Sequence, residues 1–417
     1  MLEGGLKWEN QNLKDYIDYL RESQGRLWHC MASSSWVWFL VVLAVHVVAG
    51  ATPLSSSNRC YRAIYSFGDS LADTGNSNYD TNHTLSSSQT LALHVPYGET
   101  FFHHPTGRWS DGRLIVDFIA EKMGFPLLKP YLGIKSGTIK DWKPTEGVNF
   151  AVAGATALDS SFYLEKGISN VVTNYSLRVQ LHWFTEELLP SICHSPSECK
   201  EVLGSSLFLV GEIGGNDFNH PLFLRKSIEE LRTYVPNVIN EISLAIRKLI
   251  DLGAQTLLVP GNFPLGCNYV YLSMFKTEDS EAYDKIGCLK WLNKFAEYFN
   301  RQLYGEINRL QVLHPNVNII YADYYHAALQ IYQSPTHFGF KESLLSACCP
   351  PAGIPNKIKG PIDCGKPGVT VVCDDPSQFI SWDGLHLTEA AYKLIAKGLL
   401  NGPYTNPSIA SSCDSEI

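Results

Sequence analysis

Short apolar runs alternate with longer amphipathic segments along most of this 417-residue chain, and this alternation limits the folds open to it. Short runs bounded by glycine, proline or polar residues predict buried strands, and the amphipathic segments predict helices. Strands separated by helices pair in parallel and are covered on both faces. We therefore expect an α/β fold, a flavodoxin-like three-layer α/β/α sandwich with a mainly parallel five-stranded sheet and loop insertions. The predicted strands are Ala63–Phe67, Gly147–Ala151, Ser205–Glu212, Ala254–Pro260 and Val317–Tyr321.

Apolar residues at three- and four-residue steps predict the main helices. No internal repeat and no linker follow residue 60, so residues 52–417 are expected to form one domain. Loops rich in polar residues, glycine and proline are predicted over 77–106 and 335–375. The predicted helices are Asp111–Met123 with Asp111 as N-cap, a long helix through Ile228 and Leu249 that starts or kinks near Pro236, Ala282–Leu313, and Thr388–Leu400 with Thr388 as N-cap.

The N-terminal region contains sixteen nearly continuous apolar residues, Trp36–Ala51. As a helix they span about 24 Å, less than the roughly 30 Å hydrocarbon core of a bilayer. The run ends in the A-x-A-like sequence Ala49-Gly50-Ala51, so we expect residues 31–51 to be a signal peptide. The alternative is an uncleaved signal anchor with residues 1–30 as a cytosolic tail. Both interpretations send the remaining chain into the secretory pathway, either to the cell wall or to the Golgi lumen, and only the second leaves it attached to a membrane.

Cysteine usage agrees with an oxidising compartment. Eleven cysteines are present, none in a C-x-x-C pattern, so disulfides are expected rather than a zinc site. Pairs Cys193 with Cys199 and Cys267 with Cys288 would each close a local loop. The adjacent Cys348 and Cys349 are expected to bond outward, to Cys364 and Cys373, in an order that the sequence leaves open.

Two further features bear on the cellular setting. The sequons at Asn82 and Asn174 predict N-glycosylation of a secreted surface. The formal net charge is −8 and the basic residues are scattered, which argues against a nucleic-acid partner.

Chemistry is suggested by the stretch AIYSFGDSLADTGN, residues 63–76, where Ser70 follows the carboxyl end of the first predicted strand. Ligands bind at that edge of an open α/β sheet. An acyl-transfer site also needs a base, a group that orients the base, and oxyanion donors. The sequence Trp382-Asp383-Gly384-Leu385-His386 supplies a carboxylate and an imidazole three residues apart. Gly154 can offer a backbone N–H and Asn216 a side-chain amide, beside the N–H of Ser70.

Each of these residues alone also has an ordinary structural interpretation. Ser70 can be a turn or N-cap serine, Gly154 a tight turn and Asn216 a turn residue. Asp383 and His386 can be a turn carboxylate and a satisfied core histidine. The joint occurrence of the motifs in this order is what favours catalysis.

These motifs in this order resemble the GDSL (SGNH) hydrolase family, in particular the plant-type secreted GDSL esterase/lipases. The resemblance runs from about Cys60 to Leu400. It includes Thr106-Gly-Arg-Trp-Ser-Asp-Gly-Arg-Leu, Pro264-Leu-Gly-Cys267 and Trp382-Asp-Gly-Leu-His-Leu-Thr-Glu-Ala-Ala-Tyr.

The resemblance implies a role for each matching residue. Ser70 falls on the nucleophile, and His386 and Asp383 fall on the base and the acid. The oxyanion donors fall on Ser70, Gly154 and Asn216. It also implies a fold that agrees with the predicted sheet, and a reaction that needs no cofactor and no metal.

The expected function is therefore that of a serine esterase acting on a small-molecule or polysaccharide ester. The loops expected to line the cleft, 79–106, 155–175 and 335–375, show no long apolar lid of the kind expected of an interfacial lipase. Short acyl groups are favoured, such as acetyl esters on cell-wall polysaccharide or on a specialised metabolite. The alternatives are an acyltransferase that uses the same acyl-enzyme, a lipase for longer acyl chains, and a non-enzymatic binding module.

Overall fold

The computed structural model describes residues 59–80, 91–341, 346–349, 364–366 and 372–409. Within these ranges, the strands are β1 (Ile64–Ser66), β2 (Gly147–Asn149), β3 (Leu207–Leu209), β4 (Thr256–Pro260), β5 (Asn318–Ala322) and β6 (Thr405–Asn406). They form one sheet in the order β2-β1-β3-β4-β5-β6, in which the first five are parallel and β6 is antiparallel to β5. The order of the five parallel strands is that of flavodoxin-like folds. The predicted fold class is confirmed, with one strand more than expected.

Helices flank the sheet in the same ranges. They are α1 (Ile115–Lys122), α2 (Tyr131–Lys135), α3 (Ser160–Glu165), α4 (Leu177–His182), α5 (Leu189–Ile192), α6 (Pro196–Gly204), α7 (Asn216–Phe223), α8 (Ile228–Leu252), α9 (Tyr269–Met274), α10 (Lys290–Leu313), α11 (Tyr324–Gln333) and α12 (Glu389–Asn401). A π-helical stretch, Trp183–Leu188, joins α4 to α5.

Side chains that alternate along the strands enter two separate hydrophobic cores. Tyr65, Phe208 and Leu257 face the core that contains the buried sides of α8 and α10. Their neighbours Ile64 and Leu207 face the other core, which contains the buried sides of α1, α11 and α12. Successive strand residues point to opposite faces of a sheet, so this division is the direct evidence for three layers.

Several predicted helix boundaries are wrong. α8 begins eight residues before Pro236 and runs through it, with Ser227 as its N-cap. Asp111 does not cap α1, which starts at Ile115; its carboxylate instead accepts the N–H of Glu389 at the start of α12, at 2.7 Å. α10 starts at Lys290, after a turn in which Asp284 accepts two backbone N–H groups. Thr388 caps α12 as expected, since it accepts the N–H of Ala391.

Four disulfides lie in the described residues, and they include the two local pairs predicted from spacing. The adjacent cysteines bond outward to different partners, which resolves the order that the sequence left open. The bonds are Cys193–Cys199, Cys267–Cys288, Cys348–Cys373 and Cys349–Cys364.

The predicted N-terminal tail and apolar segment lie outside the described residues, as does Asn82. Asn174 is exposed ahead of α4, so its predicted glycosylation is sterically allowed. No helix in the described part of the chain is both long and apolar enough to cross a bilayer.

Replacing Asp117 with alanine is expected to lower the free energy of unfolding by about 3–5 kcal/mol, because it leaves the buried guanidinium of Arg108 without its counter-ion. Arg108 donates twice to Asp117, each at 2.8 Å, and both side chains are almost fully buried. Urea unfolding measures the change. The control is Asp141→Ala, which removes the partner of Lys129 from a pair whose carboxylate is 76% exposed. That variant should unfold at the wild-type urea concentration, and an equal loss in both variants would contradict the prediction.

Candidate active site

Ser70 lies in the turn that leaves β1 at the carboxyl edge of the sheet. The turn requires glycine at position 68, where φ is +138° and a Cβ would lie 2.9 Å from the carbonyl oxygen of Glu212. The side chain of Gln180 in α4 forms two hydrogen bonds with the backbone of Gly68. Its Oε1 accepts the Gly68 N–H, and its Nε2 donates to the Gly68 carbonyl. Ser70 is therefore held on a rigid turn, with 8% of its surface exposed.

Asp383 and His386 occupy one tight turn just before α12. One oxygen of Asp383, Oδ1, accepts the backbone N–H groups of Leu385 and His386 at 2.9 and 2.8 Å. The other, Oδ2, lies 2.6 Å from His386 Nδ1. The turn itself thus brings the carboxylate to the ring.

The imidazole links this turn to the first strand across the fold. His386 Nε2 lies 2.8 Å from Ser70 Oγ, although the two residues are 316 positions apart. Burial raises the pKa of Asp383, but His386 and the two backbone donors outweigh it and hold the pKa below its usual value. An ionised Asp383 accepts the Nδ1 proton, so Nε2 is left to accept the serine proton.

The two remaining predicted residues lie beside Ser70. Asn216 begins α7, and its amide nitrogen donates to Asp69 Oδ2 at 3.0 Å and to the Ala155 carbonyl at 3.1 Å. These contacts tie Asn216 to the residue before Ser70 and to the residue after Gly154. The structure therefore brings all five predicted residues into one region.

Two aromatic residues at this site were missed from the sequence. Tyr97 is fully buried, and its hydroxyl donates to Asp383 Oδ2 at 2.8 Å. The ring of Trp109 packs against the His386 ring, with centroids 4.8 Å apart. Trp109 lies in one of the motifs quoted for the family resemblance, which was a usable signal. Tyr97 lies in a polar loop, where nothing marked it as buried.

A pair of buried carboxyl groups adjoins the serine. Burial raises the pKa of Asp69 to about 7, although hydrogen bonds from Leu71 and Glu212 lower it. Burial and the neighbouring Asp69 raise the pKa of Glu212 well above its usual value. Both shifts have the same physical cause, because two neighbouring buried carboxyl groups resist double ionisation.

Residues 64–399 match the model of the GDSL-like lipase/acylhydrolase family. This chain belongs to that family. Two GDSL esterase/lipases of Arabidopsis thaliana are 52% and 51% identical to it over 372 and 391 residues, which are 88% and 91% of this chain and 89% and 95% of theirs. A sinapine esterase of Brassica napus is 50% identical over 371 residues, 88% of this chain and 91% of that protein.

Membership confirms the resemblance found in the motifs. It makes the chain a carboxylic-ester hydrolase, so its substrate is an ester. Among the residues that the structure describes, no three His, Cys, Asp or Glu side chains are grouped to hold a metal ion.

Proposed function

We propose that this GDSL hydrolase is a serine esterase that works through a Ser70-His386-Asp383 acyl-enzyme mechanism. The observation that carries the proposal is the continuous hydrogen-bonded line from Ser70 Oγ to His386 Nε2 and from His386 Nδ1 to Asp383, with distances of 2.8 and 2.6 Å. Nucleophile, base and orienting carboxylate stand in the order that activates a hydroxyl.

In the first half-reaction, His386 Nε2 takes the Ser70 proton as Oγ attacks the ester carbonyl carbon. The carbonyl oxygen becomes an oxyanion, for which the N–H groups of Ser70 and Gly154 are the proposed donors, together with the amide of Asn216, which must first release one of its two present acceptors. The carbon–oxygen bond to the alcohol then breaks, and the alcohol leaves with the proton from His386. Asp383 stabilises the imidazolium that exists between the two proton transfers.

In the second half-reaction, water replaces the alcohol. His386 takes a proton from the water as its oxygen attacks the acyl carbon. The bond from that carbon to Ser70 Oγ breaks, the serine regains a proton from His386, and a carboxylic acid is released. No cofactor and no metal takes part in this scheme.

For the substrate, we propose an ester with a short acyl group, such as acetyl, on cell-wall polysaccharide or on a specialised metabolite. The similarity to a sinapine esterase supports the metabolite ester. Turnover of acetylated xylan, sinapine and p-nitrophenyl esters of increasing acyl length would rank these substrates. A rate that rises steadily with acyl length would favour a lipase instead, and ester formation with an added alcohol would favour an acyltransferase.

Labelling with a fluorophosphonate tests the proposed nucleophile directly. We expect one covalent adduct, found by mass spectrometry on the peptide that contains Ser70, because only an activated serine attacks this reagent quickly. Ser66→Ala removes a buried hydroxyl four residues away and should label like the wild type, whereas His386→Ala should label far more slowly. An unlabelled wild-type protein, or an adduct on another serine, would overturn the assignment.

Replacing Tyr97 with phenylalanine is expected to lower kcat by about tenfold. A hydrogen bond to a charged group is worth about 1.5–3 kcal/mol, and this one helps to hold Asp383 in line with the imidazole. Steady-state kinetics with p-nitrophenyl acetate measure the change. Tyr65→Phe is the control, since the Tyr65 hydroxyl is buried without a hydrogen-bond partner among the described residues. Equal kcat values in the two variants would show that the Tyr97 contact is not used.

For the cellular location, we propose the secretory pathway. The four disulfides support an oxidising compartment. Sequencing the mature N-terminus would decide between a cleaved signal peptide, with the first residue close to 52, and a retained anchor.

A further inference from the structure

The Gly154 amide lies in a turn whose type decides where its N–H points. The N–H of Ala155 donates to the Val152 carbonyl at 3.0 Å, which closes a four-residue turn. Gly154 is the third residue of this turn and has φ +79°, as a type II turn requires. Types I and II differ by a rotation of the central peptide of about 180°. In a type I turn the Gly154 N–H would point the other way and the Ala153 carbonyl would take its place.

Two buried side chains hold the two sides of this turn. Asp73 Oδ2 accepts the N–H of Ala153 at 2.9 Å. His220 Nε2 lies 3.1 Å from the Gly154 carbonyl oxygen, which only accepts, so Nε2 carries the hydrogen. Burial lowers the pKa of His220 to about 4, and the ring is therefore a neutral donor through the physiological range. Neither residue contacts Ser70 or His386 through any hydrogen bond in the described part of the chain.

The two side chains also connect the turn to the other proposed oxyanion donors. His220 follows Asn216 by four residues on α7, so both lie on the same face of that helix. Asn216 itself donates to the Ala155 carbonyl at the end of the turn. Asp73 belongs to the turn that carries Ser70, where it also accepts the N–H groups of Gly75 and Asn76.

We propose that His220 and Asp73 are positioning residues that anchor the two peptides on either side of the Ala153–Gly154 peptide, so that the turn holds the Gly154 N–H at the developing oxyanion. This inference rests on the proposed function. Helix α7 thereby positions two of the proposed donors. It carries Asn216 itself, and through His220 it holds the Gly154 carbonyl. Without the His220 N–H the Gly154 carbonyl loses this donor, and the turn is no longer anchored at that end.

The test compares two replacements of similar bulk at position 220. His220→Gln retains an N–H donor, whereas His220→Phe fills the space without one. We expect His220→Phe to lower kcat for p-nitrophenyl acetate by about 10- to 100-fold with little change in KM, short of the about 10²–10³-fold loss typical of deleting an oxyanion donor. His220→Gln should recover most of kcat. Inhibition by a boronic acid, which mimics the tetrahedral species, should weaken in parallel with kcat.

A control separates positioning from general destabilisation. Leu310→Ala removes a buried side chain near the end of α10, which carries no residue of the proposed site, and it should lower the melting temperature while kcat stays at the wild-type value. The inference is overturned if His220→Phe retains kcat within twofold, or if His220→Gln is as slow as His220→Phe. If Ser70→Ala is inactive while His220→Phe is fully active, only this inference fails. If Ser70→Ala is active, the proposed function fails with it.

Discussion

Replacing Ser70 with alanine is expected to lower kcat by about 10⁵-fold or more, the largest effect of any single substitution proposed for this GDSL hydrolase. Removal of the nucleophile eliminates the acyl-enzyme, and what is left is the modest acceleration from substrate binding and the oxyanion donors. The alanine variant should bind substrate normally. Turnover of p-nitrophenyl acetate measures the effect, with detection extended to the background rate of hydrolysis.

The control for this experiment is Ser66→Ala. Ser66 is fully buried in β1, and its hydroxyl is without a hydrogen-bond partner in the described ranges. Its loss should leave kcat unchanged, and both variants should melt cooperatively near the wild-type temperature. A folded Ser70→Ala protein with wild-type turnover would end the assignment of Ser70 as nucleophile.

Replacing Asp383 with asparagine is expected to lower kcat by about 10⁴-fold while the fold is preserved. Asp383 accepts four hydrogen bonds, two backbone N–H groups on Oδ1 and the Tyr97 hydroxyl and His386 Nδ1 on Oδ2. An asparagine side chain has only one accepting oxygen, so its NH₂ must face one of these two pairs of donors. If the NH₂ faces the ring, His386 takes the other tautomer, with its hydrogen on Nε2, and can no longer accept the proton of Ser70.

Asp375→Asn is a suitable control, because Asp375 is a loop carboxylate that caps the turn at Ser377 and touches none of these groups. Steady-state kinetics and circular dichroism of the two variants would separate loss of catalysis from loss of structure. Asp383→Asn activity within tenfold of the wild type would contradict the role given to this carboxylate.

Helix boundaries show where local pattern and tertiary packing disagree. The break predicted at Pro236 follows from its missing N–H and the clash of its ring with the preceding turn. α8 nevertheless continues through it, because Leu231, Tyr234 and Val235 on the same helix are buried and hold its first turns against the core. Strand β6 was not predicted, because it has no local sequence pattern of its own. It is two residues long and exists only because the chain returns to pair with β5.

The sequence by itself determined the layered α/β architecture, because the spacing of apolar residues that marks each strand or helix is local and can be read from the sequence alone. It also determined the five candidate site residues, since each lies in a short motif next to a predicted strand or helix end.

Only the tertiary structure decided which other groups meet them. Tyr97 approaches Asp383 from 286 positions away, and His220 approaches Gly154 from 66. Such contacts depend on the paths of loops, which carry no periodicity. The raised pKa of Glu212 and the lowered pKa of His220 likewise follow from burial, a property of the assembled fold rather than of any segment of its chain.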